Sequence, residues 1–273
     1  MSFDAIAKTS LLVAAMRAVE TKRSEDEGRL FNDPFAEALA GSEGFSLLEQ
    51  VRAEVGEQPS IALRTRYFDE RIGEGLAQGI RQIVILAAGL DARAYRLSFP
   101  AGTRVFELER QEVLNYKQEK LGNTLPHCAR YAVGVDLRED WQSKLIQAGM
   151  NAAERTLWLV EGLLLYLDEA AVLTLFEKID SLSAPDSILL FDVLGRSLLD
   201  APQMAKQLQF SEKLGAPWLF GVDEPEEFME QFGWKAVATQ PGEVEPARWR
   251  FPNAPRHIPN VPRIFFVEAR KLG

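Results

Sequence analysis

The stretch of residues 82–117 constrains the fold more than any other part of the chain, because it places two short apolar runs on either side of a tight turn. The first run, QIVIL, leads into a turn at Gly89, and the second, VFEL, is followed by Glu109. Apolar runs of this length are typical of parallel strands that are covered on both faces. The stretch therefore predicts two neighbouring strands of an α/β sheet.

Short apolar runs separated by helical segments continue downstream. It predicts strands at about 82–87, 103–108, 129–133, 155–160 and 187–192, with helices at about 110–121, 140–149 and 168–181 between them. Two later segments, WKAVATQ and RIFFVEAR, add two final strands. Alternating strands and helices predict a doubly wound, open sheet of about seven strands with helices on both faces.

Helices are expected before and after this core. Amphipathic spacing predicts one helix over residues 4–21, one from Pro34 to Gly41 with Asp33 as its N-cap, and others through 44–56 and 60–77. Beyond the core, residues 197–216 are expected to be helical, and a further short helix is expected to start at Asp223. The chain is thus expected to form a single domain (1–273) with four parts, namely an N-terminal helical layer (1–80), a cofactor-binding core (82–195), a substrate-cap insert containing strand six (196–262) and a final strand (263–273).

Composition excludes several function classes. The 273 residues carry a net charge of −9 and no strong basic cluster, so nucleic acid is not an expected partner. One cysteine, Cys128, and two histidines supply too few ligands for a disulfide or a typical zinc site, so no metal is expected. No apolar run is long enough to span a bilayer and no leader pattern is visible, which favours a cytoplasmic protein without membrane contact. Oligomeric state is left open.

Acidic residues and a glycine follow four of the predicted strands, where ligands bind in open α/β sheets. The residues concerned are Gly89 with Asp91, Glu109, Asp136 with Leu137, and Glu161. Each acid alone is more often a helix cap or a solvated loop residue. Glu109 lies about 20 residues after Gly89, the spacing at which an acid accepts hydrogen bonds from ribose hydroxyls. Glu107, on the same strand face, is the alternative for that role.

The turn itself favours one class of cofactor. A dinucleotide pyrophosphate normally sits on a turn with three glycines and bare amides. Here the turn has one glycine, and Asp91 stands close to where phosphate would lie. A nucleoside cofactor without phosphates, such as S-adenosylmethionine, is therefore favoured over NAD.

Several linked motifs carry a family resemblance. In order they are RLFNDPFAEALAG, RTRYFDERI, LAAGLDARAYRL, VFELERQEVLNYK, VGVDLREDW and LWLVEGLLLYLDEAAV. Together they resemble the leucine carboxyl methyltransferase superfamily, and within it the bacterial O-methyltransferases that include polyketide carboxyl methyltransferases. The resemblance covers roughly residues 9–195. It implies a class I methyltransferase fold, Rossmann-like, with S-adenosyl-L-methionine as the cofactor.

The resemblance also assigns site residues. It implies that Arg64 holds the cofactor carboxylate, that Gly89 forms the turn, that Glu109 binds the ribose and that Asp136 with Leu137 holds the adenine, and it places Glu161 on the methionine side. Two positions depart from the family turn GAGxDTR, because Ala87 replaces its first glycine and Ala92 its threonine.

The function expected from these observations is methyl transfer to a carboxylate or a phenolic or hydroxyl oxygen of a small molecule, with a polyketide-type product as one option. A carboxylate is already ionised at neutral pH, whereas a phenol or alcohol needs a base. His257 and Tyr166 are the candidates for a catalytic group, while His127 precedes a strand and is more simply a surface residue. The rival functions are an NAD(P)-dependent oxidoreductase and a cofactor-binding protein that has lost catalysis.

Substrate recognition is expected in the N-terminal helices and in the insert before the final strand. The candidates are Tyr166, Trp218, Phe220, Trp249, Phe251, Arg250 and, more weakly, Arg17 and Arg66. Ordinary core packing is the alternative for the aromatic residues, and a solvated loop is the alternative for Arg250.

Overall fold

The computed structural model describes residues 3–245, 251 and 255–273. Within these residues a seven-stranded sheet has the order β3-β2-β1-β4-β5-β7-β6. Its strands are β1 (Gln82–Leu86), β2 (Arg104–Glu109), β3 (Ala129–Gly134), β4 (Thr156–Val160), β5 (Ile188–Leu194), β6 (Trp234–Thr239) and β7 (Ile264–Lys271). The first five strands are parallel, and β7 pairs antiparallel with both β5 and β6. The predicted doubly wound sheet of about seven strands is confirmed.

Ten α-helices are found in the described part of the chain, and three of them precede the sheet. The helices are α1 (Ala5–Thr21), α2 (Ala36–Val55), α3 (Ser60–Ala77), α4 (Arg93–Arg96), α5 (Gln111–Leu121), α6 (Trp141–Gln147), α7 (Glu169–Ser181), α8 (Arg196–Leu199), α9 (Ala205–Lys213) and α10 (Pro225–Glu230). None of these described helices is long and apolar enough to cross a membrane.

The strand order reverses at β1. The chain proceeds from β1 outward to β2 and β3, then returns to place β4 on the other side of β1, with Leu86 paired in register to both Leu108 and Val160. The loops after β1 and β4 therefore diverge and leave a crevice at the carboxyl ends of the strands. Such a crevice is the usual ligand site of an open α/β sheet.

Two apolar clusters cover the faces of the sheet, as the alternation within β1 shows. Ile83 and Ile85 face one cluster, which contains residues of α1 and α3. Val84 and Leu86 face the other, which contains residues of α6 and α7. Since all five residues of β1 are buried, the unbroken apolar run is explained by helices on both sides.

Several predicted boundaries need correction. The helix expected over 197–216 is divided into α8, a short 3₁₀ turn and α9. Asp223 does not cap α10, because its carboxylate accepts hydrogen bonds from the backbone and hydroxyl of Ser197. Gly41 interrupts a longer helical stretch rather than ending it, since its φ of 56° and ψ of −173° bend α2. Helix α2 begins at Ala36 with Phe35 as the cap, so Asp33 precedes the cap position instead of occupying it.

Candidate functional site

A cavity of about 370 Å³ lies at the carboxyl ends of β1, β2, β3 and β4. We call it the first cavity. All seven residues expected to bind the cofactor line it, namely Arg64, Gly89, Asp91, Glu109, Asp136, Leu137 and Glu161. Tyr166 lines it as well. Arg64 and Glu161, 97 positions apart in sequence, thus meet at the crevice that the sheet topology predicts.

The turn after β1 is held by Glu109 at the end of β2. The Gly89 amide donates to Glu109 Oε2 at 2.8 Å, and the Arg110 amide donates to Oε1 at 2.7 Å. Gly89 has a φ of 48°, and a Cβ there would approach the Cβ of Ser10 to 3.1 Å, so both its backbone conformation and its surroundings require glycine. Ala87 also has a positive φ, 50°, which is costly for a residue with a Cβ.

Glu109 is well placed to accept further hydrogen bonds. Its side chain lines the first cavity, and burial raises the pKa of its carboxyl above the usual value. Glu107, the alternative ribose-binding acid, is fully buried and pairs with Lys117 at 2.7 Å and Arg130 at 2.6 Å. Glu107 therefore has a role in the sheet, which leaves Glu109 as the acid of the cavity.

Asp91 requires a correction to the argument from charge. Its carboxylate is buried and forms an ion pair with Arg93, whose backbone amide also donates to Oδ1 at 2.6 Å. Burial alone would raise the pKa of Asp91, but Arg93 and nearby cations outweigh burial and hold it well below its usual range. Because the charge of Asp91 is offset, it repels phosphate less than the sequence suggests. What still disfavours a pyrophosphate is the turn, with one glycine and the Cβ of Ala87.

Arg64 joins two carboxylates from different parts of the sheet, Glu161 directly after β4 and Asp192 within β5. Its Nε donates to Glu161 Oε1 at 3.0 Å, and Nη1 donates to Asp192 Oδ2 at 2.8 Å. Glu161 also accepts from Arg93 Nη1 at 2.7 Å, and the Gly162 amide donates to Asp192 Oδ1 at 2.6 Å. Arg64 and Arg93 thus share Glu161 in a buried network; Arg64 and Glu161 line the first cavity, whereas Arg93 and Asp192 are not among its lining residues.

Glu161 and Asp192, the two carboxylates that Arg64 contacts, differ in acidity. Burial raises the pKa of Asp192 above its usual value despite its bond to Arg64. For Glu161 burial acts in the same direction, but the charges of Arg93 and Arg64 outweigh it and lower the pKa. Glu161 thus stays ionised on the cavity wall.

Asp136 and Leu137 lie on the opposite side of the first cavity. Arg138 donates to Asp136 from its backbone amide at 2.9 Å and from Nε at 2.9 Å. These bonds lower the pKa of Asp136 to about 2. The guanidinium of Arg138 itself is largely exposed. Asp136 therefore presents an ionised acceptor beside the apolar side chain of Leu137.

A second cavity of about 140 Å³ adjoins the first. Five residues line both cavities, and we call them the junction: Thr9, Val13, Arg64, Gly162 and Tyr166. Burial raises the pKa of Tyr166, so its phenol is neutral near pH 7. Trp218, one of the aromatic residues expected in a substrate pocket, lines the second cavity.

Other substrate candidates lie elsewhere. Phe220 is 5% exposed and packs against Phe228 in the core, and Phe251 packs against the apolar cluster on the other face. Core packing, the alternative for these aromatic residues, is what the structure shows. His257 is exposed on a loop and is not among the residues that line either cavity, so it is misplaced as a catalytic base. Trp249 and Arg250 lie outside the described residues.

The two arginines considered as weaker candidates have different positions. Arg66 donates to Glu70 Oε1 at 2.7 Å and to the Leu30 carbonyl at 3.0 Å, away from the two cavities. Arg17 lines the first cavity, is 5% exposed and donates to the Leu90 carbonyl at 2.6 Å. Arg17 therefore braces the turn after β1.

Sequence reasoning missed Asp192 and Arg93. Asp192 sits in the run LLFDVL of β5, so the rule that singled out acids after apolar strands would have found it. Arg93 directly follows the conspicuous turn, but its pairing with Glu161, 68 residues later, is a tertiary contact. Within the described part of the chain, no group of three or more His, Cys, Asp or Glu side chains is arranged to hold a metal ion.

Comparison with known proteins gives consistent similarities. The family described as leucine carboxyl methyltransferase matches residues 10–180. A protein of Mycobacterium bovis (strain BCG / Pasteur 1173P2) is 43% identical over 200 residues, covering 67% of this chain and 63% of that protein. One from Mycobacterium avium (strain 104) is 41% identical over 228 residues, covering 78% and 71%. Both carry the name "Putative S-adenosyl-L-methionine-dependent methyltransferase". The chain thus spans less than two thirds of the length of the first relative.

A solved structure shares the architecture. A DUF574 family protein from Streptomyces avermitilis superposes with a TM-score of 0.63 at 14% identity, covering 87% of this chain and 95% of that one. At this identity the likeness shows the fold alone.

Proposed function

The chain belongs to the leucine carboxyl methyltransferase family, which confirms the resemblance carried by its motifs, and on this premise we propose that it transfers the methyl group of S-adenosylmethionine to a carboxylate of a small molecule. The observation that carries the proposal is the junction, where a cavity suited to an adenosyl cofactor meets a smaller cavity. A donor and an acceptor bound in the two cavities would face each other there.

The residues of the first cavity fit such a cofactor by their chemistry. Glu109 offers carboxylate oxygens to two ribose hydroxyls, and Asp136 offers an acceptor for an exocyclic amine beside the flat contact surface of Leu137. Arg64 and Glu161 offer a cation and an anion, which match the carboxylate and ammonium groups of an amino acid. The cavity therefore has one complementary group for each polar part of S-adenosylmethionine.

The protein supplies positioning. When bound, the cofactor supplies a methyl group on a positively charged sulfur, so a C–O bond to the acceptor forms as the C–S bond breaks and its electron pair remains on sulfur. Arg64 and Glu161 would fix the amino-acid end, and Glu109 would fix the ribose, so that the reacting carbon points toward the junction. Holding two reactants in line supplies a large part of the acceleration for such a displacement.

The groups at the junction favour a carboxylate over a phenol or alcohol. None of the described residues that line the two cavities is a histidine, and the carboxylates of Glu161 and Asp192 are engaged by arginines. Tyr166 brings a neutral phenol that can donate a hydrogen bond to the acceptor, and the positively charged sulfur of the bound cofactor would attract an anion. An acceptor that arrives already ionised needs no base, and a carboxylate is ionised at neutral pH.

Calorimetry separates this proposal from its rivals. S-adenosylhomocysteine, the product form of the cofactor, should bind with micromolar or tighter affinity, whereas NAD should bind at least about tenfold more weakly, because the turn lacks two of the three glycines. Tight NAD binding without binding of S-adenosylhomocysteine would instead identify an oxidoreductase. Turnover of phenols or alcohols but of no carboxylic acid would overturn the choice of acceptor, and binding of S-adenosylhomocysteine without turnover of any acid, phenol or alcohol would identify a protein that has lost catalysis.

A further inference from the structure

The walls of the second cavity are apolar and come from separate parts of the chain. Leu12 and Met16 of α1, Ile61 of α3, and Phe210 and Leu214 of the segment that follows β5 contribute side chains to it. Such a lining favours burial of the apolar part of a ligand and leaves charged or strongly polar groups without hydrogen-bond partners.

Charge in the second cavity is confined to the junction. Among the described residues that line this cavity, Arg64 is the only one with a charged side chain. The remaining polar residues, such as Gln58 and Gln207, are neutral. A ligand with a second charged group in its body would leave that charge without a partner, which is costly in an apolar site. The ligand should therefore carry one negative charge, located at the junction.

The size of the second cavity limits the ligand further. Its volume is about 140 Å³. Engineered apolar cavities of about 150 Å³ in another protein hold benzene, so this one accommodates roughly a six-membered ring or a chain of similar volume.

The segment 196–221 contributes Phe210 and Leu214 to the wall of the second cavity and is anchored at both ends beside β5. The Val222 amide donates to the Leu194 carbonyl at 2.8 Å, and the Leu219 amide donates to the Leu165 carbonyl at 2.7 Å. At Gly221 a Cβ would lie only 3.0 Å from the carbonyl oxygens of Leu194 and Gly195, so the two segments of chain cross in close contact. The segment that carries Phe210 and Leu214 is therefore held at both ends.

We propose that the methyl acceptor is a monocarboxylic acid whose uncharged, apolar body is about the size of one six-membered ring. The inference rests on the proposed function, because that function places the acceptor carboxylate at the junction. It goes further by excluding acids with two or more fused rings and acids with a second charge. A multi-ring polyketide, one option suggested by the family resemblance, does not fit the second cavity.

The test compares two small monoacids, benzoate and hexanoate, with the two-ring acid naphthoate and with the dianion terephthalate. Binding of each acid to the complex of the protein with S-adenosylhomocysteine is measured by calorimetry, and methyl ester formation from S-adenosylmethionine is measured separately by mass spectrometry. Benzoate or hexanoate should bind and react with kcat/KM at least about tenfold higher than naphthoate or terephthalate, the discrimination typical of a small change in pocket fit.

A variant that enlarges the second cavity provides the reverse test. Phe210→Ala should raise the ratio of kcat/KM for naphthoate to kcat/KM for benzoate about tenfold, because it removes a ring from the wall. Leu219→Ala is the matched control, since Leu219 lies on the same segment, is 48% exposed and is not among the lining residues. The control should leave the ratio unchanged. Affinity for S-adenosylhomocysteine, measured for both variants, verifies that the first cavity is intact.

The possible failures are distinguishable. If the unmodified protein binds naphthoate as tightly as benzoate or more tightly, or if the ratio is unchanged in Phe210→Ala, the size limit is overturned even when esters form. Binding of benzoate or hexanoate at the expected ratio without any ester would support the size limit and overturn the proposed methyl transfer instead.

Discussion

Replacing Arg64 by alanine should lower the free energy of unfolding even when no ligand is bound. Its Nε and Nη1 bond to Glu161 and Asp192 at 3.0 and 2.8 Å, and all three side chains are at most 10% exposed. In the variant Glu161 keeps Arg93, whereas Asp192 keeps only the Gly162 amide. Breaking one buried ion pair typically costs about 3–5 kcal/mol. At roughly 2–4 °C per kcal/mol, Tm should fall by about 6–20 °C.

The loss should depend on pH in a defined direction. Burial already raises the pKa of Asp192 in the intact protein, and loss of Arg64 removes a cation that opposes this rise. The folded variant therefore holds a proton that the unfolded chain releases. Stability of the variant relative to the intact protein should fall once pH rises above the raised pKa that Asp192 has in the intact protein, and level off once Asp192 is ionised in the folded variant.

Thermal melts at pH 5 and pH 7.5 measure both effects, and a double variant tests the cause. Adding Asp192→Asn to Arg64→Ala removes the unpaired charge while an amide oxygen can still accept from Gly162. The double variant should regain about 1–3 kcal/mol at pH 7.5. A single variant as stable as the intact protein at pH 7.5, or a double variant less stable than the single one, would refute the reasoning. Arg64→Lys, which retains a cation, is the better probe of cofactor binding.

Three further predictions concern the turn after β1. Glu109→Ala should weaken binding of S-adenosylhomocysteine by about 1–3 kcal/mol, roughly 5- to 150-fold in calorimetry, because ribose hydroxyls lose their acceptor; an unchanged Kd would contradict the assignment. Burial raises the pKa of Glu109, so the affinity for S-adenosylhomocysteine should be constant at pH values above that pKa. Below it the affinity should fall about tenfold per pH unit, and this fall should begin at a higher pH than for an ordinary glutamate. Glu109→Gln should flatten this pH dependence, and an identical profile would count against Glu109. Ala87→Gly should raise stability by up to about 1 kcal/mol, seen as a higher Tm, because glycine adopts the φ of 50° without strain; a lower Tm would contradict this.

The sheet and most of its helices were predictable because their signals are local. The strand from Gln82 shows a continuous apolar run because helices cover both faces, and its observed end at Leu86 lies one residue from the predicted one. The sequence-based prediction missed the break between α8 and α9, where a short 3₁₀ turn that begins at Pro202 divides the helix expected over 197–216.

The candidate site also has features that the sequence revealed and features that only the structure shows. Acids at strand ends could be selected from sequence, and the sheet brings Glu109, Asp136 and Glu161 to one cavity. The contact of Arg93 with Glu161 could not be selected, because it joins residues 68 positions apart; the pairing of Arg93 with Asp91, two positions away, is local but was overlooked. Because of that pairing the charge of Asp91 is a poor guide to the cofactor, and the glycine content of the turn is a better one.

Acceptor recognition was the least predictable part. Aromatic residues were chosen by type, and only the fold distinguishes Trp218, which lines the second cavity, from Phe220, which packs in the core. No periodicity in a single sequence encodes which of two aromatic residues two positions apart faces a cavity.

The most direct test of the central claim is a crystal structure of the protein with S-adenosylhomocysteine. We expect the Glu109 carboxylate on the ribose hydroxyls, Asp136 and Leu137 at the adenine, Arg64 and Glu161 at the amino-acid end, and the sulfur facing the junction near Tyr166. A ligand bound outside the first cavity, or one whose sulfur faces away from the second cavity, would contradict the account.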